Sequence, residues 1–434
     1  MIKLSCMAVA MALGLTSASA EVGASLSTQV VHANTSYVED LHLVESTEGT
    51  RIFAATRGGV EVYEPGGKKR LAHYTTAHGL PSLHIRKLAV EDSKLVAFTR
   101  EDRCELEESR FQCSKIEALP NAPFTLAGRM GGARITEKLR HGKYTFVATA
   151  GGGLWLDGEN PERLTPSQQI CSNHMMAITE FAGRTYFGSF DEGLCSTKDG
   201  RTFTSHEGEF RMVNDLEATS EGLFVAASEG LYRSKDGVKF EKVKTVKQRG
   251  VNGLAFDGRS LWVTTPGALW RVRIKGGPRH REFWLPGGAR SLQAVSERNG
   301  QVWIASEDRG LIKMKGNNFE VFDRAAGMPA SWTLDVAIDK NGTAYGATLR
   351  DGIVAVSKKG KIKAVDGAPD TWTLFVDVDK HGISMGTQGG AALVKKDGAT
   401  IAMLSLPHPN VHVMARVGKK LFVGTEGGTV VVKN

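Results

Sequence analysis

What the chain lacks narrows it quickly. Beyond its first twenty residues, no apolar run is long enough to cross a membrane as a helix, which takes about 20 residues. Its five cysteines include no C-x-x-C pair, and their spacing does not suggest zinc. No Gly-x-Ser-x-Gly elbow, Walker loop or dinucleotide fingerprint appears, so three common signatures of enzymatic chemistry are missing. Basic residues form no stripe interleaved with aromatics, so no nucleic acid is expected as a partner.

Glycine, in contrast, is abundant (50 of 434 residues), and the apolar residues come in short β-branched or aromatic runs. That pattern favours an all-β protein with many turns. Glycine-rich stretches such as Gly151-Gly152-Gly153 fall at expected hairpin turns, where glycine supplies positive φ without steric cost. The formal charge of +8 keeps the protein soluble and would favour an anionic envelope surface as a partner.

The first 20 residues read as a signal peptide. Lys3 is followed by an apolar stretch from Met7 to Leu15 and by the small-residue cleavage signal Ala18-Ser19-Ala20. A periplasmic, secreted or cell-surface location in a Gram-negative type of envelope is therefore expected. Cys6 lies inside this segment. The four remaining cysteines would sit in an oxidising compartment. Cys104 and Cys113 flank a hairpin-like stretch, which leaves Cys171 and Cys195 as the second pair. Free thiols or another of the three connectivities are the alternatives.

An internal repeat decides the fold. Its anchors are Phe53-Ala54-Ala55-Thr56, Val96-Ala97-Phe98-Thr99, Phe146-Val147-Ala148-Thr149, Tyr186-Phe187-Gly188-Ser189 and Phe224-Val225-Ala226-Ala227. They continue as Trp262-Val263-Thr264-Thr265, Trp303-Ile304-Ala305-Ser306, Ala344-Tyr345-Gly346-Ala347, Ser384-Met385-Gly386-Thr387 and Phe422-Val423-Gly424-Thr425. A spacing of about 40 residues suits four-stranded propeller blades. The expectation is an all-β propeller of about ten repeats, 8–10 blades, in which small anchor residues let neighbouring sheets approach closely. The last unit has only three strands, and the strand-like run Ser27 to His32 could supply the fourth. That closure points to one ring and a single domain over 21–434.

Two phrases carry a family resemblance: His73-Tyr74-Thr75-Thr76-Ala77-His78-Gly79-Leu80-Pro81 and Val321-Phe322-Asp323-Arg324-Ala325-Ala326-Gly327-Met328-Pro329, with Leu406-Pro407 similar to their end. Together with the Trp303 and Phe422 anchors, they resemble the bacterial two-component-regulator propeller repeat of periplasmic sensor regions. Thr197-Lys198-Asp199-Gly200-Arg201-Thr202-Phe203 and Ser234-Lys235-Asp236-Gly237-Val238-Lys239-Phe240 resemble degenerate Asp-box turns. The chain carries no kinase or response-regulator segment, so the resemblance implies a fold and a binding habit.

In such a propeller, the loops entering the inner strands and those following the anchor strands share one face. On it the sequence places His84, His174, Asn214, Asn252, Arg290, Trp332, Trp372 and His412 as candidate binding residues. The two tryptophans sit at equivalent positions and would suit a sugar ring or a partner's side chain, unless both pack between blades. Asp215, Glu217, Asp335, Asp377 and Asp379 lie on inner strands, where an opposed pair could act as acid and base on a glycoside. His408 and His412 are four apart, but the sequence shows no third ligand, so neither metal nor cofactor is expected. The reading is a non-enzymatic binding or scaffold propeller that engages an envelope protein or polysaccharide through its central face. The alternatives are a polysaccharide lyase or glycoside hydrolase using the channel carboxylates, and the ligand-sensing part of a signalling system with a separate kinase.

Overall fold

The computed structural model describes residues 29–433, apart from 47–48, 67–68, 93, 118–127, 207, 248–249, 276–278, 286–287, 289–290, 396–397 and 404–405. Residues 1–20, expected to be a signal peptide, and Arg290 lie outside the described residues. The described residues form ten antiparallel sheets, nine of four strands and one of five. Nine of the ten predicted anchors fall on the second strand of their sheet; in the five-stranded sheet, Phe146–Thr149 falls on the third, after the short extra strand Arg129–Met130. The unit beginning at Thr333–Ile338 continues through Ala344–Thr348 and Gly352–Val356 to Ile362–Val365, as its turn residues require. Among the described residues, no helix is long and apolar enough to cross a membrane.

The tenth sheet takes its outer strand from the other end of the chain. Gln29–His32 pairs antiparallel with Thr429–Lys433, matching Val31 to Val430, so N-terminal closure holds. The repeated aromatic-to-proline phrase also has a local cause. Thr75 and Asp323 cap short 3-10 turns, and Gly79 and Gly327 end them in the left-handed conformation (φ 93° and 97°). Leu80 and Met328 then plug the core, each only 3% exposed.

The ten sheets do not share one ring. Inner strands from the fourth sheet (175–206) to the tenth (411–433) pack in succession, and the inner strand of the tenth returns to pack on that of the fourth. These seven sheets form a closed ring. The first three (38–74, 87–115 and 129–163) form a separate stack in the order third, first, second. The stack is inserted between the closing strand and the fourth sheet. The single-ring expectation is corrected by packing: seven sheets satisfy each other's faces and leave no gap for the other three, consistent with the usual ring size of four to eight blades.

Close sheet approach depends on the small anchor residues. A Cβ on Gly386 would lie 2.5 Å from the Val411 carbonyl oxygen, and one on Gly424 would lie 2.8 Å from Met175 Cβ of the neighbouring sheet. Both predicted disulfides are present. Cys104 and Cys113 are direct cross-strand partners in the second sheet, and Cys171–Cys195 ties the loop entering the fourth sheet to its third strand.

Candidate functional site

The ring face is built by one repeated backbone clamp. The residue after the second strand donates its N–H to the carbonyl of the residue before the inner strand: Phe190 to His174, Leu349 to Trp332, Gln388 to Trp372 and Glu426 to Asn410, at 3.0–3.2 Å. Hence His174, Trp332 and Trp372 occupy equivalent rim positions. Trp332 is 47% exposed, which removes the interblade-packing alternative for it. Trp372 is half-buried, and the Arg350 guanidinium lies 5.1 Å from its ring centroid.

Inside the rim, the seven inner strands surround an axial channel of about 690 Å³. Its polar side chains mostly hold the ring together. Asn214 Nδ2 donates to the Val251 carbonyl and Asn252 Nδ2 to the Leu292 carbonyl, each on the way to the next sheet. Most inner strands carry a β-bulge at their second or third residue. In two of them an acid just after it reaches across. Asp215 accepts N–H bonds from Leu216 and Leu254, and Asp335 accepts them from Val336 and Val376, at 2.7–2.9 Å. The stack repeats the device: Leu88 N–H donates to Asp40 and Leu41 N–H to Glu137.

Burial pushes the Asp215 carboxyl up to about 6, Asp335 to about 7 and Glu217 to about 8. Asp377 is occupied by the Val378 N–H, while Asp379 pairs with Arg416 at 3.1 Å. With Glu217 accepting a backbone N–H from Phe256, each of the five channel acids is engaged by backbone N–H groups or by an arginine.

The second concave region lies where the stack meets the ring. Asn173 on the ring exchanges hydrogen bonds with Asn34 and donates to the Arg57 carbonyl, at 2.6–2.9 Å. Beside this junction is a cleft of about 530 Å³. The stack contributes Tyr37, Arg57 and His84; the ring contributes His174, His408 and Glu426. Arg57 lies 3.4 Å from the centroid of the Tyr37 ring, and both Arg57 and His84 bond Glu39 Oε1.

On the ring side, His412 Nε2 lies 3.0 Å from Glu426 Oε1. His174 stacks on Phe190 at 4.7 Å, with the His412 ring at 5.0 Å. His174, His412 and Glu426 each present one donor atom, and the three atoms lie within 4.8 Å of one another, close enough to share a metal ion. Burial, followed by the nearby His412, lowers the His174 pKa and keeps its imidazole neutral. The His412 hydrogen bond holds the Glu426 carboxyl down at about 2.

Of the sequence candidates, the structure places His84 and His174 on the cleft, and His412 on the axial channel directly behind it, against His174 and Glu426. It leaves Trp332 and Trp372 elsewhere on the rim and ties Asn214 and Asn252 into the ring. Glu426, Arg57 and Tyr37 were missed. Glu426 and Arg57 each directly follow an anchor strand, so the anchor rule already marked their face.

A third region lies on the sixth sheet's outer edge. Arg259, Arg271, Arg273, Arg279 and Arg281 line a groove of about 500 Å³, with Asp257 and Glu297 as its acids.

No protein-family profile matches the chain, and no curated protein does. Solved structures match it at low identity. The extracellular domain of the hybrid two-component system protein BT3049 of B. thetaiotaomicron aligns with a TM-score of 0.55 at 14% identity, over 91% of this chain and 56% of that domain. The chain has the β-propeller fold of this extracellular domain. A second such domain, from BT4673 of the same organism, gives 0.53 at 13% identity over 93% of this chain and 59% of that domain. The chain therefore spans a little over half the length of either. PorZ, a surface component of the type-IX secretion system of Porphyromonas gingivalis, gives 0.53 at 15% identity, over 93% of this chain and 69% of PorZ. A streptogramin B lyase gives 0.52 at 12% identity, covering 61% of this chain but 95% of the lyase, a share comparable to that occupied by the seven-sheet ring.

Proposed function

We propose that this protein is a non-enzymatic binding propeller of the periplasm or cell surface, and that ring and stack act as one body to engage an envelope protein or polysaccharide. The observation that carries the reading is the rim: an exposed Trp332, the Arg350-backed Trp372 and the polar cleft all lie on the face built by the repeated clamp. Indole plates with polar edges suit sugar rings and protein side chains alike. The two disulfides fit an oxidising compartment, and the extracellular sensor domains and PorZ lend their fold as support. The channel acids that a hydrolase or lyase would use are bound to backbone N–H groups or to arginine, which supports the non-enzymatic reading.

The test is site-specific photo-crosslinking in envelope extract from two positions, Trp332 on the rim and Lys361 on an outer edge. A discrete species is expected from the rim only, and it should disappear when Trp372→Ala is added. Equal capture from both positions would overturn the assignment of the face.

The arginine groove favours a second, anionic contact. Five guanidiniums face two carboxylates there, and Arg271 and Arg281 are steadied over Trp262 and Phe283 at 4.9 and 4.7 Å. Such an array suits the phosphate or sulfate groups of an envelope glycan.

A further inference from the structure

The cluster at the cleft floor is assembled from two sheets that meet only because the ring closes. His174 precedes the inner strand of the fourth sheet. His412 is the bulged residue in the inner strand of the tenth, and Glu426 follows that sheet's second strand. Three different local rules, a loop entry, a bulge and a strand exit, thus aim two imidazoles and a carboxylate at one point.

The arrangement is incomplete as it stands. His412 and Glu426 satisfy each other, but His174 Nε2 is buried and has no hydrogen-bond partner. A buried polar atom left without a partner destabilises the fold unless a ligand takes it up. The stacking of His174 on Phe190 prevents it from swinging out to water cheaply. His408 does not fill the gap: its Nδ1 accepts the Asn410 N–H and lies 3.9 Å from the other oxygen of Glu426.

We propose that His174, His412 and Glu426 bind a divalent transition-metal ion of the zinc class, with a coordination position left open to the cleft. Imidazole nitrogens with one carboxylate make a donor set for zinc and its first-row neighbours, whereas magnesium and calcium require mostly oxygen. Bonds of about 2.0–2.2 Å to such an ion bring its ligand atoms within about 3.5 Å of one another. The His412–Glu426 pair, at 3.0 Å, already meets that spacing, and His174 has to close only the remaining distance within the 4.8 Å that separates the donor atoms. The ion takes the place of the proton between His412 and Glu426: a neutral His412 imidazole carries that proton on Nδ1 instead, and an imidazolium releases it to solvent. The inference stands on these three side chains and does not depend on which polymer or protein the rim engages.

The experiment uses the untagged mature chain, stripped with a chelator and titrated with Zn²⁺ by calorimetry, with Co²⁺ as the spectroscopic probe. One ion per chain is expected, at micromolar affinity or tighter, and cobalt should give the strong visible bands of a four-coordinate nitrogen–oxygen site. His174→Ala and Glu426→Gln should each weaken binding by at least about tenfold. His381→Ala, an exposed histidine outside the cleft and the cluster, should leave it unchanged. Circular dichroism and melting curves establish that each variant is folded. No saturable binding, a weak six-coordinate cobalt spectrum in the wild type, or equal binding by a folded His174→Ala variant would each overturn the assignment. The wild-type cobalt spectrum decides the matter even if a variant fails to fold.

Discussion

Replacing Asp335 by Asn separates a staple from a catalytic acid. The carboxylate accepts N–H groups from Val336 on its own strand and Val376 on the next sheet's inner strand. Asn keeps one acceptor oxygen and turns an NH₂ toward the second donor, so about 1–3 kcal/mol should be lost at acidic pH. The pH dependence should then move the other way. Burial raises the folded-state pKa from 3.8 to about 7, so between those values the native state holds a proton that the unfolded state has released. The group's contribution is therefore complete below pH 3.8 and is lost as pH rises through 7. Three pKa units set an outer limit of roughly 4 kcal/mol for that loss. The Asn variant has nothing to ionise and should not share the decline. Urea denaturation at pH 4.5 and pH 8 should show the variant's deficit shrinking at the higher pH, and hydrogen exchange should show the Val376 amide less protected. A deficit that does not change with pH, or an unchanged Val376 amide, would refute the staple.

Two further outcomes follow from closure and charge. Val31→Asp places a carboxylate in the strand that completes the tenth sheet, where Val31 packs on the core around Val430 and Val432. It should cost about 2–4 kcal/mol, and calorimetry should show one transition, lowered as a whole, if ring and stack unfold together. In the arginine groove, Arg279→Glu with Arg281→Glu should lower affinity for lipopolysaccharide at least about tenfold at low salt, and the difference should narrow at high salt as screening takes over. Equal retention of both proteins on a lipopolysaccharide surface would remove the groove from the interface.

Much of this architecture is legible because propeller grammar is local. A period of about 40 residues, small anchor residues and glycine turns are all short-range signals, and they mark all ten sheets. The closing strand is legible too, because a three-stranded last unit leaves an edge that must be covered. The division into seven and three is not, since it depends on which sheet faces match, and anchors such as Phe53 and Phe422 look alike whichever ring they enter. The site follows the same division. The rim tryptophans can be read from their equivalent positions, whereas the cluster joins His174 to residues more than 230 positions later along the chain, a proximity created only by closure. The channel acids misled for a related reason. An aspartate after a bulge reads as a free carboxylate until the neighbouring sheet's N–H is in place.

The seam between the fourth and tenth sheets gives the molecule a built-in sense of completeness. Its first strand waits for its last, and the three-sheet stack is finished long before either can dock. A chain emerging from a ribosome or a translocation channel can therefore fold the stack early but cannot build the His174–His412–Glu426 cluster until the final turn has been delivered. Whatever that cluster holds would report that the ring has closed.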